Sequence, residues 1–163
     1  MSGGVRLDRD SLLVHAGAAV TVAAIEAELA REGLTLDLEG GAPERPLGAW
    51  LADGAPGSRD PWLDPVDHLV AGFEAVLANG EPLEVRPAPR RAVGPDLAAL
   101  VVGARGRFAT VTGAWLRVHA RAPGDAGGAV RGRTDPFVHG GDPPVREDEE
   151  ALLAAIAREL RGG

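Results

Sequence analysis

The turn Ala78-Asn79-Gly80-Glu81 constrains this chain more than any other stretch. It lies between two short runs, Phe73–Leu77 and Pro82–Val85. Asn-Gly readily supplies the left-handed backbone that a tight hairpin needs, so the two runs are predicted to pair antiparallel. Further strands are read at 11–16 (SLLVHA), at 34–39 (LTLDLE), and at Phe108–Val111 and Ala114–Ala120, the last two being separate or one strand bulged at Gly113. Helix signals stand between them. Thr21 is a natural N-cap for TVAAIEAELAREG, because its hydroxyl can accept from a first-turn amide. Val22, Ile25 and Leu29 fall on one face of that helix, and Gly33 is its stop. PLGAWLAD at 46–53 and residues 95–102 are read as two short helices, the second running into the Gly103–Gly106 turn. The fold expected is α+β: an antiparallel or mixed sheet of about five strands with flanking helices.

Residues 1–121 form the folded unit in this reading. Residues 122–146 are a Gly/Pro-rich connector, and 147–163 are a C-terminal helix. That helix places Glu147, Glu149 and Glu150 at its N-terminal end and Arg158 and Arg161 at its C-terminal end, both favourable to its dipole. Leu152, Leu153, Ile156 and Leu160 give it an apolar stripe that needs the domain or a partner to pack on.

Several chemistries are excluded at once. The 163 residues contain no cysteine, so disulfide and thiolate chemistry are absent. The histidines (His15, His68, His119 and His139) lack metal-ligand spacing, and no metal is expected. A net charge of −7 argues against nucleic acid and anionic membranes as partners. No apolar stretch is long enough to span a bilayer, and MSGGVRLDRD lacks a signal core, so a cytoplasmic location is expected. There is no GxSxG, no P-loop and no paired-carboxylate motif, and no residue qualifies as a catalytic acid, base or nucleophile. Asp64, Asp67 and Glu74 read as surface acids. Arg105 and Arg107, in the GARGRFA turn, are placed to meet an anion, but solvated arginines are the ordinary outcome. Trp50, Trp62 and Trp115 are expected in a core or at an interface, where large rings contribute most.

Four stretches carry a family resemblance. SLLVHAGAAVTVAAIEAELAREGLTL resembles a strand, an Ala-Gly turn and a helix. GAPERPLGAWLADGAPGS resembles a loop of Pro, Ile-Gly-Gly and Asn-Ala-x-Gly. HLVAGFEAVLANGEPLEV resembles a hairpin in which Val70, Gly72, Glu74, Val76, Leu77 and Gly80 are typical residues. PDLAALVVGARGRFATVTGAWLRVH resembles Asp-Leu-x-x-Leu, Gly-Ser-Glu-Gly and the strand that follows. In this order they resemble the second half of the FAD-binding domain of the vanillyl-alcohol oxidase and p-cresol methylhydroxylase superfamily, in particular its glycolate-oxidase-subunit relatives. The resemblance implies FAD as the family's cofactor. It matches Pro43, Leu47, Gly48, Ala52, Gly57, Gly103, Gly106 and Val111 to cofactor-contacting segments.

The departures from the pattern are specific. Ala49 replaces the second glycine of the Gly-Gly pair, and Gly54 stands where the family usually has Asn. Arg105 replaces a Glu, Ala109 a Gly, and Gly113 a Glu. The family's first subdomain, whose glycine-rich loop holds the pyrophosphate, would precede the first residue given. The resemblance therefore implies a truncated, non-catalytic homologue that binds no cofactor alone and acts through protein contacts. The abandoned flavin face would bind a partner or a second copy. Trp50, Leu51 and Phe108 would be its anchors, Arg45, Arg59, Arg105 and Arg107 its rim, and Trp50 the hot spot. The alternative is an FAD-binding component of an FAD-dependent oxidoreductase, with the pyrophosphate loop supplied by a partner chain.

Overall fold

The computed structural model describes residues 4–58, 69–87 and 97–121. Seven strands and two helices alternate along them: β1 (Val5–Asp8), β2 (Leu13–Gly17), α1 (Val22–Arg31), β3 (Leu34–Thr35), α2 (Leu47–Ala52), β4 (Val70–Leu77), β5 (Pro82–Val85), β6 (Ala109–Arg117) and β7 (His119–Ala120). Five strands form one sheet in the order β1-β2-β6-β4-β5, and β3 pairs with β7 in a second. Every pairing is antiparallel, which resolves the choice between an antiparallel and a mixed sheet. The expected hairpin forms β4 and β5, with Phe73 opposite Val85 and Val76 opposite Pro82. Its turn closes as the Leu77 amide donates to the Glu81 carbonyl at 2.8 Å, and Gly80 takes φ +90°.

Helix α1 forms as its pattern dictates. The Thr21 hydroxyl accepts from the Ala24 amide at 3.2 Å, and Gly33 takes φ +70° just past the last turn. Val22, Ile25 and Leu29 are buried against the sheet. On α2, Leu47, Trp50 and Leu51 do the same. They meet Val14, Ala16, Phe73, Ala75, Ala114 and Leu116 from the sheet's inner face. Each large aliphatic side chain buried this way contributes about 1.5–3 kcal/mol. Glu26 ties α1 to the second sheet. Its carboxylate accepts from the Thr35 hydroxyl (2.6 Å), the Leu36 amide (2.9 Å) and the Arg121 guanidinium (2.9 Å).

Four details differ from the sequence reading. β1 was not anticipated, because VRLD is short, charged and followed by more charge. Of LTLDLE only Leu34 and Thr35 pair as a strand; Asp37 takes φ +55°, which no extended run allows, and the Leu36 amide goes to Glu26. The helix expected at 95–102 is a 3-10 turn at Leu97–Leu100, with residues 95 and 96 outside the described set. β6 is one strand that begins after Phe108. Its register steps from Glu74–Gly113 to Ala75–Val111, so Thr112 is the extra, bulged residue. That step turns both the pair Ala109 and Val111 and the pair Ala114 and Leu116 into the core, which strict alternation forbids. The connector and C-terminal helix expected at 122–163 lie outside the described residues.

Candidate functional site

Six of the eight matched positions (Leu47, Gly48, Ala52, Gly103, Gly106 and Val111) lie on α2 or in the segments against it, a loop edge at the ends of the inner strands β2 and β6. The first residues of α2 hang from the β2–α1 loop: the Leu47 amide donates to the Val20 carbonyl at 2.8 Å and the Gly48 amide to Ala18 at 2.9 Å. A Cβ on Gly48 would stand 2.9 Å from the Ala18 Cβ and 3.5 Å from the Val111 carbonyl oxygen, so this close approach itself demands glycine. The last carbonyls of α2 are taken by the second loop. Leu51 accepts from the Gly103 amide and Ala52 from the Arg105 amide, both at 2.9 Å. The turn coils to make these bonds, with Gly103 at φ +74°, Arg105 at +51° and Gly106 at +72°. Gly54 and Gly103 meet backbone to backbone, a Cβ on either standing 3.8 Å from the other's Cα.

The remaining matched positions, Pro43 and Gly57, serve other contacts. The Pro43 and Arg45 carbonyls accept from the Ala23 and Val22 amides at 3.0 and 2.9 Å, closing the first turn of α1. Gly57 takes φ +88° and lies against Glu39, whose carbonyl oxygen a Cβ would approach to 2.6 Å.

A dinucleotide diphosphate needs converging unpaired amides. At this edge the amides of Leu47, Gly48, Gly103, Arg105 and Arg107 all have protein acceptors, as do those of Val22, Ala23 and Ala24 at the start of α1. No buried side-chain nitrogen or oxygen among the described residues lacks a partner, and no group of three His, Asp or Glu among them is placed to hold a metal. The named amides are therefore committed to the fold and are not the donors a diphosphate would use. The edge leaves Ala19, Ala49, Arg105 and Arg107 exposed, while Arg45 is tied to Asp53 by a salt bridge. Arg59 and Trp62 lie outside the described residues.

The expected protein-binding anchors are not at the surface. Trp50 and Leu51 are 0% exposed and Phe108 is 3% exposed, all within this chain's own core. The Trp50 indole donates to the Pro56 carbonyl at 3.1 Å. The spacing of Leu47, Trp50 and Leu51, at i, i+3 and i+4, already marks one buried helical face. The expectation of exposed anchors rests on the flavin face that the family resemblance implies, not on this spacing. Arg105 and Arg107 are exposed as expected.

A side-chain cluster that the sequence reading missed lies on the sheet's outer face. His15 on β2 and Glu74 on β4 meet at 3.1 Å between Nε2 and Oε2. The His15 ring stands 5.0 Å from the Trp115 ring centroid, tilted by 55°, and the Arg6 guanidinium sits 4.8 Å from that ring. His15 and Glu74 are 59 positions apart, so only the strand order brings them together. The alternation Val14-His15-Ala16 and Ala114-Trp115-Leu116 was visible in the sequence and marks both as outward-facing.

Comparison with known proteins gives one picture. The family model described as "FAD binding domain" matches residues 1–86. An uncharacterized FAD-linked oxidoreductase, YgcU of Escherichia coli, is 27% identical over 123 residues, covering 73% of this chain and 25% of that protein. A D-lactate dehydrogenase of Archaeoglobus fulgidus is 30% identical over 157 residues, covering 96% of this chain and 33% of that one. The chain thus spans a quarter to a third of the length of these relatives. A solved alkyldihydroxyacetonephosphate synthase superposes with a TM-score of 0.57 at 22% identity, over 74% of this chain and 21% of that chain, which bears on the fold alone. No helix among the described residues is long and apolar enough to cross a membrane. With a family model matched over more than half its length, the chain belongs to the FAD binding domain family, of the vanillyl-alcohol oxidase and p-cresol methylhydroxylase type.

Proposed function

We propose that this chain works as one part of the flavin-binding unit of an FAD-linked oxidoreductase. It supplies the wall built on the β2–α1 loop, α2 and the Gly103–Gly106 turn. The diphosphate donors come from polypeptide outside the described residues, whether in the same protein or in a partner chain. The observation that carries this reading is the backbone arrangement at the loop edge. The framework around α2 is closely bonded, and the amides of Leu47, Gly48, Gly103, Arg105 and Arg107 are spent on it. Such an edge suits packing against a flat ring and does not suit gripping an anion. Cofactor affinity in dinucleotide sites draws heavily on phosphate contacts, so the chain alone binds FAD weakly.

The contact-only reading, a non-catalytic accessory or regulatory homologue, draws support from the exposed Arg105 in place of an acid. Its proposed anchors, however, are core residues, and this weakens it. Flavin content separates the two readings. The chain is isolated from its native cells with whatever polypeptides accompany it, and the visible spectrum is recorded. Flavin bands in the assembly, absent from the purified chain alone, are expected. A colourless assembly would favour the contact-only role.

A further inference from the structure

Gly17 and Gly113 face each other across β2 and β6, so the ladder carries no side chain there on either strand. Glycines inside strands weaken a sheet, because they lose most entropy and pack nothing. The loop edge hangs from this weak point. One residue further, the Ala18 amide donates to the carbonyl of the bulged Thr112 at 2.9 Å. The Ala18 carbonyl in turn accepts from the Gly48 amide at 2.9 Å, at the start of α2.

The His15–Glu74 contact lies directly over this place. His15 belongs to β2 and Glu74 to β4, the two strands that flank β6. Their contact therefore passes over β6, and it does so at Gly113. A Cβ on Gly113 would overlap Glu74 Oε2 and stand 3.1 Å from His15 Nε2. Glycine leaves the room, and the pair fills it. Trp115 packs beside His15, and Arg6 lies over Trp115, which limits the freedom of the imidazole.

We propose that His15 and Glu74 form a strap across β6 that positions the loop edge. It holds Gly113 and Thr112 in the bulged register, so that Ala18, and through it Gly48, keep their places. Both are positioning residues; neither belongs to the edge itself. The importance of the strap for a cofactor rests on the function proposed above, whereas its test uses no cofactor, so the two fail separately.

Amide hydrogen exchange of the full chain, read residue by residue by NMR, tests the strap. Glu74→Ala is expected to raise exchange at Ala18 and Gly48 roughly three- to tenfold, as loss of a partly exposed charged hydrogen bond implies. Amides in the middle of α1 should keep their rates. Gly113→Ala should give the same local pattern by displacing the pair. Glu74→Gln retains an acceptor for the imidazole and should stay near the parent. Unchanged exchange at Ala18 in Glu74→Ala would overturn the proposal. So would a uniform rise across the chain, or a Gln variant as loose as the Ala variant. If Gly113→Ala does not fold, the two Glu74 variants still decide.

Discussion

At the loop edge around α2, polar backbone groups turn inward and bond to one another. On the outer face of the sheet, polar side chains from separate strands meet at the surface. The edge depends on backbone shape: Gly48 and Gly57 are glycine because a Cβ would strike Ala18 or Glu39. The outer face depends on side-chain chemistry: Arg6, Trp115, His15 and Glu74 touch in sequence across four strands. Glycines and prolines in a loop thus identify a scaffold as readily as a binding site. A built array of side chains can sit where the sequence offers only alternation.

The largest expected effect falls on the inner side of the edge. Trp50→Ala removes a fully buried ring and should cost about 3–5 kcal/mol, seen as a lower urea midpoint. If that variant folds normally and loses association, Trp50 is an interface residue and the contrast breaks. Gly57→Ala comes next. It forces a side chain into a left-handed conformation against the Glu39 carbonyl, and about 1–3 kcal/mol of destabilisation is expected. A neutral result would mean that this loop relaxes and does not hold its neighbours. The outer face should respond least. Arg6→Gln loses the contact with Trp115 and should cost about 0.5–1 kcal/mol. A loss as large as that of Trp50→Ala would show the outer cluster to be a second core.

Much of this fold was legible in the sequence. Asn79-Gly80 announced the hairpin, Thr21 and Gly33 bounded α1, and PLGAWLAD contained α2. What was hidden is register. The bulge at Thr112 switches which residues of β6 face inward, and no local pattern announces it. β3 stops after Thr35 because Glu26, a helix residue, captures the Leu36 amide. Most of the positions matched to a cofactor lie on or beside α2, while Pro43 contacts the first turn of α1 and Gly57 lies against Glu39. Whether an amide is free depends on an acceptor from a distant segment, such as the Ala23 amide that Pro43 serves. For Trp50 the one-turn helical spacing in PLGAWLAD points to the core, where the ring lies, whereas the family resemblance points to an uncovered flavin face. The His15–Glu74 pair needed the order β2-β6-β4, which the sequence does not state.

The central claim is that the amides of Leu47, Gly48, Gly103, Arg105 and Arg107 are spent on the scaffold, so that the loop edge alone grips a diphosphate weakly. Calorimetric titration of the purified chain with FAD and with riboflavin tests it most directly, because the two ligands share a ring system and differ in the diphosphate and adenosine. The account predicts similar, weak binding of both, at about high-micromolar dissociation constants or weaker, with little dependence on salt. Sub-micromolar binding of FAD, far tighter than riboflavin and weakened by salt, would contradict it.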